Sequence, residues 1–268
     1  MGERAAVDAV DDPVTADSIA ADLRDLGVEA GDTLLVHSAL SELGWVVGGP
    51  QAVVDALQRV LTEQGTLVMP THSTQYSDPS VWTSPPVPDD WIPQIRESMP
   101  PFRPAVTPTR GMGAVPECFR NYPETRRSRH PLYSFAAWGA DAEAVVEGHE
   151  FENGLGEHSP LARVTEQDGS VLLLGVGHDS NTSLHLAEYR ADIDPDETTA
   201  GAPVLRDGER TWVEWTDIVH DSSDFTEVGA AFEREVGATT GTVGAAEATL
   251  LDQSSLVEFA VGWLEANR

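Results

Sequence analysis

A histidine and a glutamate three residues apart, His185 and Glu188, lie in the stretch NTSLHLAEYRA. On a helix that spacing puts both side chains on one face. A carboxylate beside an imidazole fixes its orientation and raises its basicity, which is what a general base requires. The same spacing also suits a surface ion pair. The predicted helix begins just after an apolar run, VLLLGV, and α/β proteins commonly bind ligands at such strand ends. His37 ends a second apolar run, where it reads either as a site residue or as a hydrogen-bonded core histidine. Glu157 precedes Ser159-Pro160, and its charge would also suit the dipole of a helix starting there.

Anion binding has two candidate features. Residues 103–129 hold Arg103, Arg110, Arg120, Arg126, Arg127 and Arg129 against only Glu117 and Glu124, a local excess of four positive charges. Arginine offers several donors in a fixed fork, so such an island fits a phosphate; pairing with the abundant carboxylates is the alternative. The loop SELGWVVGGP links a strand to a helix, and its glycines and the helix's free amides would allow an anion to approach. It lacks both GxxxxGK[ST] and GxGxxG, so a triphosphatase loop and a dinucleotide fingerprint are excluded. His178, Asp179 and His185 lack HxxxH or HExxH spacing and no CxxC exists, so no metal is expected. Cys118 lies in ECFR without an obvious base, and no GxSxG elbow is present.

The rest of the chain is acidic. Its 268 residues carry 45 acidic and 16 basic side chains, a net charge of -29, and every basic residue is arginine. This argues against nucleic-acid binding, which draws on Lys and Arg contacts to phosphate, and against anionic membranes. The 40% hydrophobic content and seven tryptophans argue against disorder. A lysine-free, acid-rich globular chain is expected in concentrated salt, where charge repulsion is screened over about 3 Å at 1 M. A halophile's cytoplasm is therefore the expected setting. One cysteine, no apolar leader and no long apolar run agree with that, and predict neither an internal disulfide nor a membrane span.

The elements that must position these residues follow from periodicity. Residues 14–27 read as an amphipathic helix with Thr15 or Asp17 near its cap, and residues 33–36 as a buried strand. A helix over 51–61, with Pro50 in its first turn, and a strand over 66–69 complete a βαβ unit. Residues 70–108 are rich in Pro, Ser and Trp without periodicity, and Trp82, Trp91, Ile92 and Phe102 suit an ordered binding loop better than a linker. Further helices are expected at 110–121, 141–148, after Ser159-Pro160 and at 182–190, and strands at 134–138 and 171–176. Residues 203–218 alternate around Asp-Gly and predict a β-hairpin. The tail over 246–267 reads as one helix with Leu250, Leu251, Leu256, Phe259, Ala260 and Trp263 near one face.

Taken together, LLVHSALSELGWVVGGPQAVVDAL, TLVMPTHS, SDPSVW, PPVP, TPTRGMGAVPECFR, RRSRHPLYSFAAWG and GLGEHSPLAR, running on to VLLLGVGHDSNTSLHLAEYRA, resemble the aminoglycoside 3-N-acetyltransferase family. These are the antibiotic N-acetyltransferases unrelated in fold to the GNAT enzymes. The resemblance covers about residues 33–191, and GTVGAAEATLL is also similar. It implies an α/β fold: a single-domain three-layer α/β/α sandwich over 1–268 with a mixed central sheet and an added β-hairpin, with 70–108 as a substrate-side loop. It implies acetyl-CoA as donor, a small-molecule amine as acceptor, no nucleic-acid or membrane partner, and a monomer or homodimer. His37, Ser38, Leu40, Ser41 and Val47 match the loop that holds pantetheine and pyrophosphate, and Arg110, Arg127 and Ser128 the segment around the nucleotide phosphates. His185 with Glu188 matches the catalytic helix and Glu157 an acidic residue near the acceptor amine; Glu188 or Glu157 is expected to orient the imidazole, and backbone amides or His37 to stabilise the oxyanion. Asp78, Asp89, Asp90 and Glu152 are candidates to attract a polyamine sugar. The expected reaction is direct transfer to the 3-amino group of 2-deoxystreptamine, with His185 as base. Acetylation of another amine metabolite, hydrolysis of a coenzyme A thioester and a non-catalytic coenzyme A-binding subunit are the alternatives.

Overall fold

The computed structural model describes residues 3–268. Its strands are β1 (Thr33–Ser38), β2 (Thr66–Pro70), β3 (Arg126–Arg127), β4 (Phe135–Gly139), β5 (Ser170–Leu174), β6 (Glu197–Arg206), β7 (Glu209–Ile218), β8 (Thr239–Val243) and β9 (Ala246–Asp252). The helices are α1 (Glu3–Asp8), α2 (Ala16–Asp25), α3 (Pro50–Leu61), α4 (Ile92–Ser98), α5 (Ala114–Phe119), α6 (Ala142–Val146), α7 (Pro160–Glu166), α8 (Ser183–Arg190), α9 (Phe225–Glu235) and α10 (Gln253–Asn267). Seven strands form one mixed sheet in the order β3-β4-β2-β1-β5-β9-β8, while β6 and β7 pair separately. Only the centre is parallel: β1 runs parallel to β2 and to β5, and every outer pairing is antiparallel.

Alternation along each strand builds two cores from one sheet. Leu34 and Val36 face a layer containing α2, α3 and α5, together with Leu67, Met69, Leu172 and Leu174. Leu35, Val68, Val171 and Leu173 face the opposite layer, which contains α6 to α10. This is the expected three-layer α/β/α sandwich in a single domain. Local signals place the helices: Thr15 caps α2 by accepting the Ser18 N–H at 3.1 Å, and Ser18 Oγ accepts the Thr15 N–H at 3.0 Å. Gly49, at φ 60°, turns the chain into α3 with Pro50 in its first turn. In the hairpin, Asp207 and Gly208 both have positive φ, the two-residue turn that Asp-Gly favours.

The tail differs from expectation. Ala246–Asp252 is a strand antiparallel to β5, and the helix begins only at Gln253. Leu250 packs on one core and Leu251 on the other, so these neighbours cannot share a helix face. Residues 70–108 are ordered, as expected, but contain three short 3-10 turns and α4. Phe102 anchors this segment: it is buried, its N–H donates to Pro203 O at 2.8 Å, and its ring lies edge-on to Tyr76. Trp91 stays exposed.

A tight contact orients the turn that leads into α8. His178 donates through Nε2 to Glu233 of α9 at 2.9 Å, with its ring flat against Gly229, where a Cβ would lie 1.9 Å from His178 Cγ. Gly229→Ala should therefore force this turn off α9 and destabilise the fold by roughly 2–3 kcal/mol. An unchanged urea midpoint would show that this contact does not position the turn.

Candidate active site

β1 lies between β2 and β5. The chain leaves β1 toward α3 on one face and leaves β5 toward α8 on the other. The carboxyl ends of β1 and β5 thus form a topological switch point, the crevice where open α/β sheets bind ligands. A cleft of about 840 Å³ opens there, lined by His37, Ser38, Leu40, Ser41, Gly111–Ala114 and Thr182 among others. Trp45 lines it too and is 43% exposed, offering an apolar wall to a long ligand arm.

The dyad stands one helical turn beyond Thr182. His185 Nδ1 lies 2.6 Å from Glu188 Oε2. The carboxylate can only accept, so Nδ1 carries the proton and Nε2 is the nitrogen left without a carboxylate partner. Glu188 is buried, yet its other oxygen accepts from Arg268 Nη1 at 2.6 Å and from the Asp221 N–H at 3.0 Å. Burial pushes the Glu188 carboxyl upward, but bonds from His185, Arg268 and Asp221 outweigh it and hold the group below its ordinary value. It therefore stays charged when the imidazole takes up a proton. His37 Nε2 is 3.3 Å from Thr182 Oγ1. Burial first, and repulsion from His185 second, pull its pKa to about 3, so His37 is neutral at pH 7.

The sequence-predicted residues divide into those brought together here and those held elsewhere. His37, Ser38, Leu40 and Ser41 line the cleft, and Val47 and Arg110 adjoin the lining residues Val46 and Gly111. Arg127 is engaged by protein acceptors instead: its guanidinium donates to Thr71, Ser73, Pro104, Thr107 and Ser134. No donor of Arg127 remains for a phosphate, and its role is to tie the 70–108 segment to β3. Ser128 is buried, its hydroxyl between His149 Nδ1 and the Phe135 N–H. Arg127→Ala should consequently cost roughly 3 kcal/mol of stability through unsatisfied carbonyls and expose residues 70–108 to proteolysis. Weakened coenzyme A binding at unchanged stability would instead restore the phosphate reading.

The acidic candidates are also separated. Asp78 is buried, caps a 3-10 turn through Ser80 and pairs with Arg96 at 2.8 Å. Glu157 forms a two-pronged pair with Arg190, at 2.6 and 2.9 Å, and makes no bond to His185. Glu152, Asp89 and Asp90 are exposed. Of the arginine island, Arg120 pairs with Glu117 and Arg126 with Glu143. Arg103, Arg110 and Arg129 are exposed and make no ion pair among the described residues.

Sequence reasoning missed Thr182, which sits within the quoted NTSLHLAEYRA stretch, and Asp221 and Arg268, which complete the site from outside the motifs. It also missed His72, which follows β2 and is buried, and His220, whose ring centroid is 4.9 Å from that of His185. The one available signal was that THS follows one apolar run as HS follows another, LLV, in β1.

The chain is similar to known proteins along nearly its whole length. The family model described as aminoglycoside 3-N-acetyltransferase matches residues 35–265. The chain is 47% identical over 256 residues to the SPbeta prophage-derived aminoglycoside N(3')-acetyltransferase-like protein YokD of Bacillus subtilis, covering 95% of this chain and 94% of that protein. The YokD crystal structure superposes with a TM-score of 0.96 over 98% of each chain. Aminoglycoside N(3)-acetyltransferase VII of Streptomyces paromomycinus is 35% identical, over 99% of this chain and 96% of that one. The structure of AAC-IIIb binary with CoASH matches at a TM-score of 0.86 and 32% identity, over 95% of this chain and 97% of that one.

Proposed function

Since this chain belongs to the aminoglycoside 3-N-acetyltransferase family, we propose that it transfers the acetyl group of acetyl-coenzyme A to the 3-amino group of the 2-deoxystreptamine ring of an aminoglycoside. The observation that carries this reading is the tautomer-locked His185–Glu188 dyad beside the cleft at the β1/β5 switch point. The names of the relatives support the acceptor class, and the relative solved with CoASH supports the donor.

Both substrates bind together. The cleft receives the pantetheine arm along Ser38–Ser41 and Trp45, and the exposed Arg110 at its mouth meets phosphate oxygens. His185 Nε2 takes a proton from the acceptor ammonium, and Glu188 stabilises the imidazolium. The freed amine nitrogen bonds to the thioester carbonyl carbon. As the tetrahedral intermediate collapses, the C–S bond breaks and the thiolate leaves. The proton on the new amide nitrogen passes to solvent, and the imidazolium proton neutralises the thiolate. Neutral His37 and nearby backbone amides are the donors available to the oxyanion. Holding both reactants in one site removes much of the entropic barrier.

Incubation with acetyl-CoA and a panel of 2-deoxystreptamine aminoglycosides, in molar salt to suit the net charge of -29, should release thiol only when acceptor is present. Thiol release without an amine identifies a thioester hydrolase. Coenzyme A binding without turnover of any aminoglycoside overturns the acceptor assignment.

A further inference from the structure

The carboxylate that orients the base is itself held by a cation from another element. Glu188 is buried on α8, and its two oxygens have different partners. Oε2 accepts from His185 Nδ1 at 2.6 Å, and Oε1 accepts from Arg268 Nη1 at 2.6 Å. Arg268 follows α10 and lies beyond residues 35–265, which the family model matches; its side chain is 18% exposed. The rest of its fork reaches the segment that opens α9. Nε donates to Asp224 Oδ2 at 2.8 Å, and Nη2 donates to Asp224 Oδ1 at 2.6 Å and to the Asp221 carbonyl. A planar guanidinium serves all of these acceptors at once.

The groups around His185 come from several elements. Glu188 shares its helix, Asp221 and Asp224 belong to the segment between β7 and α9, and Arg268 to the end of α10. His37 near the end of β1, His72 after β2 and His220 after β7 also surround it. Burial first, and repulsion from His185 second, hold these three far below their ordinary value, so all are neutral at pH 7. Asp217 lies one layer further out, bonded to Tyr189. The charged neighbours are thus three carboxylates, Glu188, Asp221 and Asp224, and one guanidinium. Carboxylates favour the imidazolium, which has no lone pair left to accept a proton. Without an offsetting cation they would hold the base in its spent form.

We propose that Arg268 is a positioning residue for the transfer reaction: by pairing with the far oxygen of Glu188, it lets that carboxylate orient His185 without drawing a resting proton onto Nε2. The inference rests on the reading of His185 as general base given above. It assigns the end of α10 a part in the chemistry, although no atom of Arg268 needs to touch a substrate. Because Glu188 is buried, the pair is screened far less by concentrated salt than the surface carboxylates are.

Nitrogen NMR of the histidine-labelled full chain, titrated in molar salt between about pH 6.5 and 9, reads the protonation of His185 without any substrate. Arg268→Gln keeps amide donors but loses the charge, and should move the His185 midpoint up by about one unit. Arg268→Lys keeps the charge and should leave the midpoint within about 0.3 unit of the parent. Asp224→Asn removes a carboxylate from the cluster and should move the midpoint down, a sign that general damage to the fold does not produce. In turnover, kcat/KM of Arg268→Gln should fall most on the acid side, by up to about tenfold for a one-unit shift. It should return to within about twofold of the parent at high pH, with KM for acetyl-CoA unchanged. A loss of the same size at every pH, or an unmoved midpoint at an unchanged melting temperature, overturns the proposal. If Arg268→Gln does not fold, the other two variants decide: a midpoint that fails to fall in Asp224→Asn, or that rises in Arg268→Lys, overturns it equally. Midpoints that move as expected while His185→Ala keeps its turnover would sink the general-base reading alone, and Arg268 would still govern the imidazole.

Discussion

His185→Ala is expected to lower kcat for acetyl transfer by about a thousandfold, the middle of the range for a lost general base, equivalent to roughly 4 kcal/mol at the transition state. Coenzyme A affinity should stay within about twofold of the parent, an expectation set by the hydrogen-bonding partners of the side chain. The imidazole bonds to Glu188, and the cleft for the donor is walled by other residues, from His37 to Ser41 and by Thr182. Single-turnover acetylation, together with calorimetric titration of CoA, separates the two effects. Retained turnover would sink the general-base assignment, whereas parallel loss of turnover and CoA affinity would place His185 in the donor site instead. Glu188→Gln should be milder in rate and harsher in stability. It leaves the imidazole a partner but removes the charge that Arg268 and His185 share at a buried position.

What the sequence displayed was local. The strand ends at His37 and Leu174 and the i, i+3 dyad on α8 were legible because buried runs and helical spacing are short-range properties. The partners that complete the dyad are not local: Arg268 lies 80 positions from Glu188, and Asp221 lies 33. No spacing rule reaches them. The tail shows a different limit. AEATLLD places Leu250 and Leu251 side by side, and an adjacent pair fits one helix face loosely and the two faces of a strand equally well. Pairing with β5 decides it, and that is tertiary.

The arginine island shows that composition counts charges without saying where donors point. Its excess of four positive charges suggested one anion site. In the fold, Arg127 is a half-buried tie for the 70–108 segment and Arg120 and Arg126 face glutamates, which leaves three arginines facing solvent. A net positive count over a stretch therefore overstates the donors that the fold leaves available to an anion. The position of Arg110, beside the glycine-rich lining at Gly111–Ala114, is what still connects it to the cleft.

Acid should unfold this protein steeply between pH 6.5 and 5, ahead of the titration of its many surface carboxylates. Five histidines are buried or nearly so, and each has its pKa pulled down. Burial is the main cause throughout, reinforced by neighbouring histidines for all but His149: His37 falls to about 3, His149 and His220 to about 4, and His72 and His130 well below the ordinary value. The bonding of one of them requires neutrality, and that of a second is satisfied by the neutral ring. His130 Nδ1 accepts the N–H groups of Leu132 and Tyr133, and His149 holds Ser128 through one nitrogen and the Gly154 carbonyl through the other.

The sign follows from proton counting. The unfolded chain binds a proton at each histidine near pH 6.5 while the folded chain does not, so stability is fully present above that pH and declines below it. Each such histidine contributes about 1.4 kcal/mol per pH unit, so five acting together give a slope of about 7 kcal/mol per unit. Against a total stability of roughly 5–15 kcal/mol, one to two units below 6.5 is enough. Relief of repulsion among exposed carboxylates comes only near their ordinary values, at about pH 4, too low to rescue the fold. A urea-midpoint series from pH 8 to 4.5 at constant high salt should give an uptake of four to five protons on unfolding. His149→Gln should reduce that number by one, because glutamine can keep a bond to Ser128 or Gly154 without titrating. An uptake near one proton would mean that these histidines open to water before the fold is lost, and the buried neutral cluster would not be what limits acid stability.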